Sequence, residues 1–347
     1  RVRLIAMFLL MLLSLACLLL MTLFLQFRWR HRHILRLANK LPCPPTWPLI
    51  GNAHFFIGSI TSTTKNLMGF VTEFKNIFCI WAGPSPFFVT SNPSDLQIIL
   101  NSSTMLEKDS SYTVFKIFLG NGLLGAPVSI WKKYRRLMNP LMHPTNIELF
   151  LPVFNTIAKE LVEEIAEESQ ASDPTDMFFH AAMNAISKTI AKQSVDKITR
   201  EKIQEILCVG GRMFTESMVR PWLRIEWFVR LLHKDAKHVL ELCSEVVDAY
   251  HKLTLEDAKL AEENGSDVPQ YKTIWDICLS HPNDPTDDHE WEDERSTMIA
   301  AGSDTVVSAL TLATFTLAAH PDVQEKVHKE IQEVVGDSGD VTLADLN

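Results

Sequence analysis

The feature that most constrains this chain is a run of 24 residues, Leu4 to Phe27, apolar except for Ser14, Thr22 and Gln26. As a helix rising about 1.5 Å per residue it reaches roughly 36 Å, enough to cross a hydrocarbon core of about 30 Å with some tilt. A cleaved secretory signal would have a shorter apolar region followed by small residues. Here the run is followed by Arg28-Trp29-Arg30-His31-Arg32-His33. Arg1 and Arg3 precede it, whereas Arg28, Arg30, Arg32, Arg36 and Lys40 follow it. That bias places the rest of the chain in the cytoplasm, so residues 1–33 are expected to form a single-pass transmembrane anchor with a basic flank.

The whole chain carries a net charge of -9, so beyond its basic anchor the body is distinctly acidic. An acidic body repels phosphates and disfavours nucleic acid as a partner. The remaining ~300 residues suffice for one large domain or two ordinary ones. Cys17, Cys43, Cys79, Cys208, Cys243 and Cys278 are scattered without a CxxC pair and read as reduced cytosolic thiols. The triplets Asn101-Ser102-Ser103 and Asn264-Gly265-Ser266 should then stay unglycosylated, and glycan on either would invert this topology.

Residues 34–52 end in Leu41-Pro42-Cys43-Pro44-Pro45-Thr46-Trp47-Pro48-Leu49-Ile50-Gly51-Asn52. Such a density of proline excludes helix and imposes a stiff, extended path, either a spacer with a fixed exit direction or a plain linker. Phe78-Cys79-Ile80-Trp81 and Phe87-Phe88-Val89-Thr90, separated by Gly83-Pro84-Ser85-Pro86, read as a short hairpin. Helix dominates thereafter. Ile147, Leu151, Phe154, Ala158, Leu161 and Ile165 fall at helical spacing and are expected to face the core, with Glu160, Glu163, Glu164, Glu167 and Glu168 on a solvated face. Similar patterns cover 177–196, 201–218, 222–233 and 236–262. The polar stretch Glu263–Asp288 interrupts them, and His281 to Glu294 reads as an acidic loop entering a helix N-terminus rather than as a zinc or EF-hand site. A helix over 288–319 ends at His320-Pro321, and another runs to Val335 with Gly336 as its stop. Val323, Val327, Ile331 and Val334 give it an apolar side, and Lys326 and Glu330 an i,i+4 pair.

Two constellations could carry chemistry. In Ala300-Ala301-Gly302-Ser303-Asp304-Thr305 the small residues clear one side of a helix, with an acid and a hydroxyl beside the clearing. A mid-helix glycine costs about 1 kcal/mol against alanine, so the alternative is a helix break at Gly302-Ser303-Asp304, with Ser303 or Asp304 capping a new helix. In Trp131-Lys132-Lys133-Tyr134-Arg135-Arg136, Trp131 and Arg135 share a helical face. An indole donor beside a guanidinium fork suits a carboxylate; on spacing alone, an ordinary solvated basic face is the better reading.

The order of these motifs is more specific than any one of them. Pro48-Leu49-Ile50-Gly51-Asn52, Gly122-Leu123-Leu124, the Trp131/Arg135 pair, Arg135-Arg136-Leu137-Met138-Asn139-Pro140, Ala301-Gly302-Ser303-Asp304-Thr305 and the His320-Pro321 break follow in sequence. The chain so read resembles a microsomal cytochrome P-450, a haem-thiolate monooxygenase, and in detail the animal group containing fatty-acid omega-hydroxylases and many insect enzymes. The resemblance implies a mainly α fold with a small β region, in which the anchor precedes an incomplete cytochrome P-450 domain over 53–347. It implies haem b as cofactor, with Trp131 and Arg135 on a propionate and Ala301 and Gly302 over the distal face. Thr305, with Asp304 behind it, would hydrogen-bond dioxygen and relay the protons that promote O–O cleavage. Electrons would come from NADPH through NADPH-cytochrome P-450 reductase, docked with help from Lys132, Lys133 and Arg136; cytochrome b5 is a further implied partner. The implied location is the endoplasmic reticulum membrane, the substrate an apolar small molecule. The contact regions it implies are Thr104 to Phe118 and Met213 to Trp227, which carry no selective polar code.

Departures from the family pattern carry expectations too. Cys43 replaces a hinge glycine, Val128 a glycine that commonly precedes the tryptophan, and Ala301 the glutamate through which some members attach haem covalently, so that linkage is not expected. The chain runs to Asp345-Leu346-Asn347 without the family's ExxR helix and FxxGxxxCxG loop. Glu292-Asp293-Glu294-Arg295 fits ExxR formally but reads as part of the acidic run. Without a ligating thiolate, the chain by itself is expected to be inactive, poorly folded and rich in exposed apolar surface. A first residue Arg1 suggests a partial sequence of a complete enzyme. The alternatives are a truncated, non-catalytic membrane-tethered protein that binds a redox partner or apolar ligand, and an unrelated helical adaptor.

Overall fold

The computed structural model describes residues 2–109, 112–167, 173–191, 194–219, 223, 225–264, 273, 276, 288–336 and 339–346. Cys278, Glu168, the end of the second glycosylation triplet and nearly all of the 263–288 stretch lie outside these residues. The chain divides into two compact units, 1–106 and 107–347.

In the first unit the apolar run forms one long helix, α1 (Val2–Arg30), followed at His31 by α2 (Arg32–Ala38). Between Met7 and Arg30, α1 is long and apolar enough to cross a membrane, and none of that stretch is buried. Next come α3 (Ile60–Phe74), the strands β1 (Phe78–Ala82) and β2 (Ser85–Val89), and α4 (Pro93–Leu100). The hairpin pairs Phe78 with Val89 and Ala82 with Ser85, which shortens the expected four-residue turn to Gly83-Pro84. Gly83 at φ 60° supplies the positive φ that a two-residue hairpin loop requires.

The proline hinge is docked rather than loose. Cys79 N donates to Pro42 O at 2.9 Å. Asn52, fully buried, donates through Nδ2 to Pro44 O at 3.0 Å and Pro45 O at 2.9 Å, and its Oδ1 accepts from Trp81 N at 2.8 Å. One amide side chain thus satisfies three backbone groups of two segments that proline stops from pairing as a ladder. Burial raises the Cys79 thiol to about 11, so it stays protonated and inert at neutral pH.

The second unit has helices and, among its described residues, no strand: α5 (Thr113–Leu119), α6 (Val128–Met138), α7 (Pro144–Glu148), α8 (Leu151–Glu167), α9 (Thr175–Ala191), α10 (Lys197–Val219), α11 (Glu226–Leu232), α12 (Lys234–Asn264), α13 (Asp288–Ala319) and α14 (Pro321–Val334). Its core joins Val114, Phe178, Met183, Met213, Val239, Tyr250 and Ile299. α9 lies against α13, and α10 against α12. The Ser187 and Tyr250 hydroxyls, 2.8 Å apart, tie α9 to α12.

The stripe expected to make α8 a core helix is corrected. Ile147 falls in α7, Phe154, Ala158 and Ile165 are exposed, and the buried residue of α8 is Ile157, with Leu161 half-buried. α8 lies against α9, and of its apolar residues only Ile157 is fully covered. Its other side holds the segment after α14: Asn155 exchanges hydrogen bonds with Val341 N and O at 3.1 and 3.0 Å, and Lys159 pairs with Asp340 at 2.7 Å. The boundary at His320-Pro321 falls where expected, and Gly336 adopts φ 65° just past α14.

Candidate functional site

The site is built on α6 and α13. α13 runs unbroken through Gly302-Ser303-Asp304, which corrects the reading of a helix break. Ser303 is buried and its Oγ donates to Ile299 O at 2.7 Å, bonding one turn back instead of capping a new helix.

The glycine has a packing reason. A Cβ on Gly302 would lie 2.5 Å from Ile186 Cδ1 of α9, so the missing side chain permits the close crossing of two helices. Gly302 is half-buried on that flank, while Ala301, Asp304, Thr305 and Ser308 form an exposed stripe beside it. The Thr305 hydroxyl donates to Ala301 O at 2.7 Å, which fixes its rotamer and leaves its oxygen lone pairs facing the open side. Of the small residues expected to clear that side, Ala301 does so and Gly302 serves the interior.

On α6, Trp131 is half-buried and Arg135 exposed one turn later. Lys132 and Arg136 are exposed, and the Lys133 ammonium lies 5.3 Å from the centre of the Tyr134 ring. Tyr134, buried on the other face, meets Trp291 of α13 edge-on at 5.1 Å.

A second link between the two helices went unread in the sequence. Asn121 N donates to Asp293 Oδ2 at 2.7 Å, and Leu123 N to Glu294 Oε2 at 3.1 Å. Both carboxylates belong to the first turns of α13, and both amides to the connection that enters α6. The connection can come this close because Gly120 and Gly122 have no side chains: Cβ atoms there would fall inside Asp293 and beside Thr297 Oγ1 and Asp293 O. Glu294 has 0% exposure, so the Glu292–Arg295 stretch is corrected from solvated acidic run to interior clasp. The available signal was Gly120-Asn121-Gly122, a small-residue turn that required a close partner.

The candidate residues thus form two groups, half-buried Trp131 with exposed Arg135 on α6 and exposed Ala301 with Asp304 and Thr305 on α13, and the clasp through Asn121 and Leu123 ties the approach to α6 to the start of α13. Haem fits that donor set, because a planar guanidinium and an indole match a propionate and Ala301 keeps the stripe low.

A family model for cytochrome P-450 matches residues 41–347, and the chain belongs to that family. It is similar to cytochrome P-450 4e5, mitochondrial, of Drosophila mettleri, with 25% identity over 93% of this chain and 65% of the relative. Identity to cytochrome P-450 4c21 of Blattella germanica is 27%, over 92% of this chain and 67% of the relative. Human cytochrome P-450 4V2 is 25% identical over 86% and 61%. The chain thus spans about two thirds of the length of the curated relatives it matches.

Proposed function

We propose that this chain is the anchor and front portion of a membrane-bound haem monooxygenase that inserts one atom of O2 into an apolar substrate with electrons from NADPH delivered by a reductase. The observation that carries the reading is the open α13 stripe, where the Thr305 hydroxyl is oriented by Ala301 O at 2.7 Å beside exposed Asp304. Haem, when bound, supplies the activation of dioxygen. Trp131 and Arg135 would hold a propionate through charge-assisted bonds. Ala301 gives the ring access to the helix, and Gly302 sets the depth of α13 on α9. Asp304 would take protons from water and pass them to a water held at the open face by the lone pairs of the Thr305 hydroxyl, whose own proton is donated to Ala301 O.

The domain boundaries are 1–33 for the anchor with its basic flank, 34–52 for the hinge and 53–347 for this part of the catalytic domain. Lys132 and Arg136, with Lys133, offer a basic patch to the acidic face of the reductase or of cytochrome b5. The α1 span and its basic flank support the endoplasmic reticulum membrane, with the body cytoplasmic, although one relative's name assigns that protein to mitochondria.

The test uses the complete gene product. Arg135→Ala should lower haem retention, and Thr305→Ala should keep haem while product formed per NADPH falls by about a hundredfold, the low end of the range for a lost proton-transfer group. Unchanged coupling in Thr305→Ala would remove the proton role. A transcript that reads into an ordinary stop directly after Asn347 would remove the catalytic proposal.

A further inference from the structure

A cavity of about 450 Å³ opens where the apolar span ends, within the size range of small-molecule sites. Phe24 and Arg28 of α1, Leu35 and Asn39 at α2, Trp47 of the hinge and Trp81 of β1 line it. Arg28 lies roughly 36 Å along the helix axis from Leu4, at the edge of a hydrocarbon core of about 30 Å. The cavity therefore sits at the depth of lipid headgroups, on the side the basic flank assigns to the cytoplasm.

Its walls are preformed. Trp47 and Gly51 exchange backbone hydrogen bonds at 2.9 Å, Trp47 stacks on His54 at 4.7 Å, and the Asn52 clasp holds the hinge to Trp81. The Arg28 guanidinium is 5.9 Å from the Phe24 ring centre. The sequence holds no Asp or Glu before Glu73, so no carboxylate of α1, α2 or the hinge neutralises that cation. A cationic fork, the neutral polar side chain of Asn39 and flanking aromatic walls match a phosphodiester continued by an acyl chain.

We propose that this cavity is a binding site for one anionic phospholipid, whose phosphodiester pairs with Arg28 and whose upper acyl segment lies against Phe24, Leu35 and Trp47. The site rests on the membrane-tether reading and goes beyond it. A generic tether needs only the span, whereas this site selects a headgroup and fixes how the hinge stands on the membrane.

The test places the full chain in nanodiscs of phosphatidylcholine containing a minority of phosphatidylinositol and counts retained lipids by native mass spectrometry after gentle detergent extraction. The wild-type chain should retain one phosphatidylinositol in preference to phosphatidylcholine. Arg28→Gln should reduce that preference about fivefold, the value of one juxtamembrane cation. Arg36→Gln, which removes the same charge outside the cavity, should leave it unchanged. Thr46→Trp, which fills the cavity and keeps every charge, should abolish it. Equal retention of both lipids by the wild type, or equal losses in Arg28→Gln and Arg36→Gln, would overturn the site in favour of diffuse attraction. Displacement by soluble glycerophosphoinositol at matched concentration would overturn a lipid as the occupant. Flotation of the wild type with liposomes is read separately, and its failure would break the tether reading instead.

Discussion

The two halves of α13 reverse the usual relation between polarity and burial. The N-terminal half contains Glu294 at 0% exposure, with Arg295 and Thr297 also buried, whereas the apolar C-terminal half leaves Leu312 at 67% and Phe315 at 60% exposure. Composition alone would bury the second half first. Indeed, Trp291–Ala319 as a whole is long and apolar enough to cross a membrane. What decides is the company each half keeps. The polar half packs on α9 and is met by the connection into α6, whose Asn121 and Leu123 amides donate to Asp293 and Glu294, while the apolar half leaves its large side chains exposed, as are Val323, Val327 and Ile331 of α14 beyond it. Buried charge is tolerated where hydrogen bonds meet it, and apolar surface is covered only where an element lies over it.

The largest expected effect tests the polar half directly. Gly122→Ala would place a Cβ 2.1 Å from Thr297 Oγ1 and 2.5 Å from the α13 backbone at Asp293 O. Because a backbone carbonyl cannot rotate away, the loss should be about 3 kcal/mol by the measure of overpacked sites, read by urea denaturation. A loss below about 0.5 kcal/mol, the scale of surface substitutions, would mean that the clasp is open in solution.

Next in size is a pH effect beneath the same half. Burial raises the Tyr250 phenol from 10.0 to about 12, against the opposing influences of the Ser187 hydrogen bond and the nearby Arg295 charge. A folded-state value above the unfolded one contributes stability that is full below about pH 10 and lost as pH rises toward 12. The wild type should therefore lose about 2 kcal/mol more than Tyr250→Phe across that window, on the scale of 1.36 kcal/mol per pK unit. Parallel alkaline profiles would show that α13 leaves the phenol wet.

Legibility in the sequence follows the same division. Elements fixed by local rules were readable: the long apolar helix α1 from its unbroken run, the α13–α14 boundary from His320-Pro321, and the hairpin apart from its turn. Features fixed by a distant neighbour were not. The glycine in Ala301-Gly302 was assigned to an open face, yet its partner is Ile186, more than a hundred residues earlier. Glu294 looked solvated because its neighbours in sequence are acids, whereas its bonded amide is Leu123. The α8 stripe had the right period but no element to cover all of it. Of the candidate site residues, Ala301, Asp304 and Thr305 do share the open face, as their spacing implied. The role of Gly120 and Gly122 in bringing the approach to α6 against α13 depends on Asp293 and Thr297, about 170 residues away in sequence, roughly half the chain.

Gly302→Ala probes the border between the halves. The added methyl meets Ile186 Cδ1 at 2.5 Å and Cγ1 at 2.9 Å, a flexible side chain that can partly yield. The overpacking cost of about 2 kcal/mol is offset by about 1 kcal/mol of helix propensity, leaving a net loss of about 1 kcal/mol. Ile186→Val removes the Cδ1 atom, so in a double-mutant cycle it should recover most of that loss. Strict additivity would show that the two helices do not cross this closely.

The smallest effect belongs to the apolar half. Leu312→Ala removes a large side chain that makes little contact, and its helix propensity rises slightly, so stability should change by no more than about 0.5 kcal/mol. The same truncation at a buried helical leucine costs about 3 kcal/mol, which sets the contrast to be measured. Leu312→Glu should likewise leave the urea midpoint in place while reducing self-association in sedimentation, because it interrupts the exposed apolar stripe. A cost of about 2 kcal/mol or more for Leu312→Ala would mean that this half is covered in solution, and the contrast between the halves of α13 would then reduce to one buried helix with two kinds of lining.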